Sequence, residues 1–312
     1  SSNDAIISSN VVDDHTAYGI YLTDSKRLRI KQNEIKNSLD DALYLSSNCD
    51  DGFIDNNTIK NNGDSAAGRA VRLIEVEDTT LYNNTIDSND YSGIVITESS
   101  KNTIVQNIIK GNGKYGIHIA NDATKSANNT IKDNTINDNS NVAILNNGIF
   151  TTIFNNTIKY NEDVGIKITD EGARSTIDSN NLVDNEGQSI QIQASNVVIK
   201  LNTIDADSSS IAVVILDSNS VSIENNTIEG GLQGIKVQNS TNAFIYKNTV
   251  KSNSGYGIYL LMNSTSGEVK NNNLSDNEDN AIVISASNST EIFNNTIKEN
   301  AGYGFVAINS KL

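Results

Sequence analysis

Aliphatic residues recur along the chain in pairs five residues apart. The second member of each pair falls at Val12, Ile35, Ile59, Ile86, Ile109, Ile136, Ile158, Leu182, Ile204, Ile228, Val250, Leu274 and Ile297, at intervals of 22 to 27 residues. The first member runs from Ile7 and Ile30 to Val269 and Ile292. A third element follows each pair, a small residue and then a hydrophobic one, from Gly19-Ile20 and Ala42-Leu43 to Ala281-Ile282 and Gly304-Phe305. The residue two further on is usually aliphatic as well. That alternation has the period of a strand, with one face inward.

Three short strands per repeat, with no helical stretch between them, exclude leucine-rich and helical solenoids. The repeat is also shorter than a four-stranded propeller blade of ~40 residues. The spacing therefore predicts an all-β chain, a stack of about thirteen coils of three short strands each. The whole of residues 1–312 reads as one such domain, and as a segment of a larger protein, because it opens and closes inside the repeat.

Two residues before each pair's second member stands an asparagine: Asn10, Asn33, Asn57, Asn84, Asn107, Asn134, Asn156, Asn180, Asn202, Asn226, Asn248, Asn272 and Asn295. The gap around it never varies, so the corner it occupies is tight. Backbone groups leave the strand ladder at such a corner, and stacked amides can satisfy them and one another. An internal asparagine ladder is the expected result. A second, incomplete column lies three residues after the pair, including Asn62, Asn89, Asn112, Asn139, Asn161, Asn185, Asn253, Asn277 and Asn300. Asparagine tolerates left-handed backbone, so these positions are expected to take it.

Composition sharpens the picture at a few points. Proline is absent, as suits a chain of ladders to which proline cannot donate. The net charge of −15 speaks against a nucleic-acid partner, which needs a basic face. No apolar stretch approaches the ~18 residues of a membrane span. The single cysteine, Cys49, allows no internal disulfide and reads as incidental in a polar turn.

The Asn-Asn-Thr-Ile and Gly-Ile repeats resemble the right-handed parallel β-helix repeats of pectate-lyase-like proteins, above all the asparagine-rich repeats of NosD-like and carbohydrate-associated surface proteins. The resemblance implies that the asparagine corner joins the second and third sheets and that the Gly-Ile strand lies in the first. It also implies that a ligand would lie along the outer face of that first sheet. Gly-His-Gly and Asp-Pro-His motifs of related hydrolases and epimerases are missing.

Two insertions, at residues 60–70 and 120–130, flank the first-sheet strands, and long loops on a rigid scaffold are where sites are built. The outward positions between them run Tyr21, Tyr44, Arg72, Val95, His118, Leu145 and Lys167. Arg69, Tyr91, Tyr115, Glu75, Glu77 and Asp122 are expected at the fringe. Tyr44, Arg69, Arg72, Tyr91, Tyr115 and His118 are the candidate sugar-binding residues: tyrosine faces stack on pyranose rings and a guanidinium holds a carboxylate. Arg72, His118 and Lys167 are the candidates for proton transfer, should the groove be catalytic. An outer sheet face carrying ordinary exposed residues is the plainer alternative. No cofactor is required. Calcium, which takes oxygen ligands, is possible, with Asp50 and Asp51 as candidates, and His15, in Asp13-Asp14-His15, could separately join a metal site.

These observations favour a noncatalytic extracellular or cell-surface β-helix scaffold that adheres or binds glycans. The alternatives are a polysaccharide lyase or epimerase acting on acidic polysaccharide, and a surface-layer or fibre module associating end to end.

Overall fold

The computed structural model describes residues 3–64, 68–120 and 126–310. Among these, 39 short strands recur three to a coil, without any helix. Each coil gives one strand to each of three parallel sheets, making a right-handed β-solenoid of thirteen turns. The first sheet holds strands such as Ile20–Thr23, Leu43–Ser46, Val71–Ile74, Ile94–Thr97 and Ile117–Ile119. The second holds Arg29–Lys31 and its counterparts, and the third Glu34–Lys36 and its counterparts. The strands group into two compact units, Ser1–Glu162 and Asp163–Leu312.

Most strands are three residues long, with a buried centre and two outward neighbours. Thr58–Lys60 shows why: Ile59 is β-branched and inward, while Thr58 and Lys60 face out. Ile30, Ile35, Ile54, Ile59, Leu81 and Ile86 are all fully buried. Burying each such side chain favours folding by about 1.5–3 kcal/mol relative to leaving it exposed. Because every strand pairs only with the coils directly before and after it, this core is built one layer at a time.

The asparagine column forms a continuous ladder within each unit. In the first, Asn33 donates to the Oδ1 of Asn57 at 3.0 Å, and the same bond links Asn57, Asn84, Asn107, Asn134 and Asn156 in turn. In the second it runs through Asn180, Asn202, Asn226, Asn248, Asn272 and Asn295. The second column forms too, with Asn62, Asn89, Asn112, Asn139 and Asn161 linked in the first unit. Asn253, Asn277 and Asn300 are linked in the second.

Two expectations are corrected. The left-handed backbone belongs to the residue before each column asparagine: Asn56 (φ 55°) precedes Asn57, and Asn61 (φ 54°) precedes Asn62. The preceding residue turns the corner, which leaves the column asparagine free to point inward. Even Leu201 and Lys247 take this conformation at the equivalent corner. Cys49, in turn, is no surface residue. Its side chain is fully buried, and burial pushes the thiol pKa up.

A further column escaped the sequence reading. Ser240, Ser264, Ser287 and Ser310 each accept, through Oγ, a backbone N–H from the preceding coil at 3.1–3.4 Å. This column lies where the chain leaves the first sheet. Its offset from the preceding small-hydrophobic pair shifts by one residue between coils, which hid it.

Candidate functional site

The outward positions of the first sheet stack as expected. Register pairs Tyr21 with Tyr44, Tyr44 with Arg72, Arg72 with Val95, Val95 with His118, and His118 with Leu145. Lys167 lies in the second unit, on strand Ile166–Ile168.

The residues just before the strands form two further rows. One position before the small residue stand Tyr18, Asp41, Arg69, Ser92 and Tyr115. Two positions before it stand Asp40, Gly68, Tyr91 and Lys114. Stacked coils place these rows beside the outward strip. A cleft of about 200 Å³ results, lined by Arg69, Arg72, Tyr91, Val95, Thr97, Lys114, Tyr115, His118 and Ala120. Five of the six candidate sugar-binding residues line it. Tyr44 does not, but the Arg72 guanidinium sits over its ring, 5.0 Å from the centroid.

Asp41 organises one wall. Its side chain is fully buried, with Arg69 Nη1 3.7 Å and Arg72 Nη1 3.4 Å from its two oxygens. It also accepts the Arg69 backbone N–H at 2.7 Å. Burial raises the Asp41 pKa, opposed by that amide and by the two guanidinium charges. Gly63 and Gly68 close the base of the first insertion, and a Cβ on Gly68 would lie 2.3 Å from the Gly63 Cα. The chain therefore returns from the insertion directly into Arg69.

Lys114 is the residue that sequence reasoning missed. Its ammonium donates to the Tyr91 hydroxyl and lies 4.4 Å from the Tyr91 ring centroid and 4.9 Å from that of Tyr115. Arg69 approaches the Tyr91 ring at 5.3 Å. Two buried polar atoms in the cleft have no partner, Arg69 Nε and His118 Nε2. Buried groups of this kind are rare in native proteins. His118 packs edge-on against Tyr115, 4.9 Å between centroids. Burial first, then the neighbouring Lys114 and Arg69 charges, hold its pKa down at about 4. The ring is thus neutral at physiological pH, one nitrogen a donor and the other an acceptor.

Other candidates go elsewhere. Glu77 pairs with Lys101 and takes the hydroxyl of Ser100, Glu75 is not among the lining residues, and Asp122 lies outside the described residues. Asp50 accepts from Lys26 Nζ and from the Glu77 backbone N–H, each at 2.9 Å, which engages its carboxylate. Asp51 sits in a left-handed turn. Among the described residues, no three His, Cys, Asp or Glu side chains converge to hold a metal ion. Among the described residues, no helix is long and apolar enough to cross a membrane.

A family model described as the right-handed β-helix region matches residues 1–153, 146–231 and 206–311. The chain belongs to the right-handed β-helix family. Among solved β-helices it is similar to the surface protein and adhesin PfbA of Streptococcus pneumoniae, with 14% identity and a TM-score of 0.65 over 98% of this chain and 91% of that one. It is similar to a double mutant of the periplasmic alginate epimerase AlgG, with 14% identity and a TM-score of 0.62 over 89% of this chain and 77% of that one. It is also similar to the Dettilon tailspike protein, with 13% identity and a TM-score of 0.66 over 90% of this chain and 62% of that one. At these identities the likeness is one of fold. No curated protein matches the chain in sequence.

Proposed function

We propose that this β-helix acts outside the cell or at its surface as a glycan-binding or adhesive scaffold, holding an acidic saccharide in the first-sheet cleft. One observation carries the reading. In a chain of net charge −15, three cations, Arg69, Arg72 and Lys114, gather in one cleft beside the rings of Tyr91 and Tyr115. Cationic donors suit a carboxylate or sulfate, and the faces of aromatic rings suit the C–H edges of a sugar. That its solved neighbours include a surface adhesin, an alginate epimerase and a tailspike supports an extracellular, carbohydrate-related setting.

The lyase or epimerase reading has one observation in its favour. The neutral His118, with an unpartnered Nε2 beside Lys114 and Tyr91, is a group able to move a proton in a site that neutralises acidic sugar. A single experiment separates the two: acidic polysaccharides are screened for binding on an array and for unsaturated or epimerised product in solution, with and without calcium. Binding without product, weakened by Lys114→Ala, supports the scaffold. Product formation replaces it with the enzyme. Failure to bind any acidic glycan rejects both.

A further inference from the structure

A second feature lies along the same strip. Tyr18, Tyr21 and Tyr44 form a triangle of rings with centroids 5.3, 5.2 and 5.2 Å apart, contributed by the first two coils. Tyr21 is half exposed, so the cluster offers an open aromatic face. Arg72, which lines the cleft, stacks on the Tyr44 ring and joins the two features. At ~4.8 Å per coil, Tyr21 and His118 are about four steps, or ~19 Å, apart along the strip. That reach suits a short oligosaccharide and exceeds a single ring.

The charges along this path are uneven. All three cleft cations belong to the third to fifth coils. Two acids and one cation neighbour the tyrosine cluster: burial, followed by the charges of Asp40 and Asp41, pushes the Tyr18 hydroxyl pKa up, and only Arg72, on the Tyr44 ring, opposes them. Asp41 is shared with Arg69 and Arg72, whereas the Asp40 carboxylate turns to the Asp41 backbone N–H and has no cation among its bonded partners. A polymer with a carboxylate on every ring would set one of them against Asp40. An uncharged ring on the tyrosine face meets no such penalty, and its C–H edge faces the negative face of the aromatic rings.

We infer that Tyr18, Tyr21 and Tyr44 form a subsite for an uncharged sugar ring, so that the groove selects a heteropolysaccharide in which neutral and acidic rings alternate over a homopolymer of uronic acid. This inference rests on the acidic-glycan reading above and narrows it. The neutral ring stacks at the first two coils, and the acidic ring that follows it reaches Arg69, Arg72 and Lys114.

The test is titration calorimetry of the whole chain with tetrasaccharides. One set alternates glucuronate with an N-acetylhexosamine, from hyaluronan and from unsulfated chondroitin. The other is tetragalacturonate. At least one alternating tetrasaccharide is expected to bind about tenfold more tightly than tetragalacturonate. Tyr21→Ala is expected to weaken that alternating ligand about fivefold, the scale of one aromatic contact, and to leave tetragalacturonate unchanged. Lys114→Ala should weaken both. Equal or tighter binding of tetragalacturonate, or equal losses for both ligands in Tyr21→Ala, overturns the neutral subsite while leaving the acidic-glycan reading intact. Binding of neither class overturns the two together.

Discussion

Asn134 donates from Nδ2 to the Oδ1 of Asn156, one coil further on, at 3.0 Å, and its backbone N–H reaches the same oxygen at 3.0 Å. Its own Oδ1 receives both the amide and the backbone N–H of Asn107, and its Nδ2 also donates to the Ile104 carbonyl at 2.9 Å. Asn134→Leu keeps the volume and removes every one of these side-chain partners. Each buried group left unpaired costs about 1–3 kcal/mol, so a loss of several kcal/mol is expected. Urea unfolding measures it, and surface-like tolerance would contradict a buried ladder.

The His118 imidazole has a pKa of about 4 in the folded protein, against 6.5 for the free group. Between those values the unfolded chain binds the additional proton, so this residue removes stability as pH falls from 6.5 towards 4, and the loss levels off below. The effect is at most about 3 kcal/mol. His118→Gln should lose less stability than the parent across this window. Parallel curves for the two proteins would show that the ring is not held neutral.

Gly68 has φ +99° and no room for a Cβ beside Gly63. Gly68→Ala should therefore shift the return of the insertion and, with it, Arg69. The expected result is a loss of about 1–3 kcal/mol from the strained backbone, together with weakened glycan binding. A stable variant that binds normally would show that the glycine pair does not position Arg69.

Tyr44→Ala and Arg72→Ala should each weaken an acidic glycan, because the two side chains support one another. Tyr303→Ala should not. Tyr303 is three-quarters exposed and lies in the second unit. Equal losses for all three variants would remove the site from the first-sheet strip.

Cys49 should resist a thiol reagent in the folded protein and react fully in denaturant, since its side chain is buried and its pKa raised. Rapid labelling without denaturant would contradict the packing at that corner.

The coil was legible because its signals repeat. An invariant asparagine and an invariant five-residue gap, seen thirteen times, leave few architectures. The site was legible in part, for the opposite reason: its residues are exceptions to the repeat. Arg72 and His118 sit on strands whose alternation fixes their direction, and they were found. Lys114 sits in a turn, where a lysine looks like any solvated residue. Its meaning comes from alignment with Tyr91, since both stand two positions before the small residue of the strand. Asp41 drew no site role from the sequence. Only stacking shows that it occupies the row between Tyr18 and Arg69, where it holds two guanidiniums. The buried Cys49 was misread because a short polar context, Ser-Asn-Cys-Asp, conceals which side chain turns inward.

The ladder's uniformity has a cost in specification. Within each unit, one asparagine of the column after another meets the same kind of partner, at nearly the same distance, one layer away, so the lateral bonds carry no record of which layer is which. A folding chain that skipped or repeated one whole layer would satisfy almost all of them. What distinguishes the layers is irregularity: the pinched Gly63–Gly68 loop, the Asp41 contact with Arg69 and Arg72, and the second-column phase held by Gly231, where no amide stands. The departures that build the cleft are thus among the landmarks that tell one layer of the stack from another.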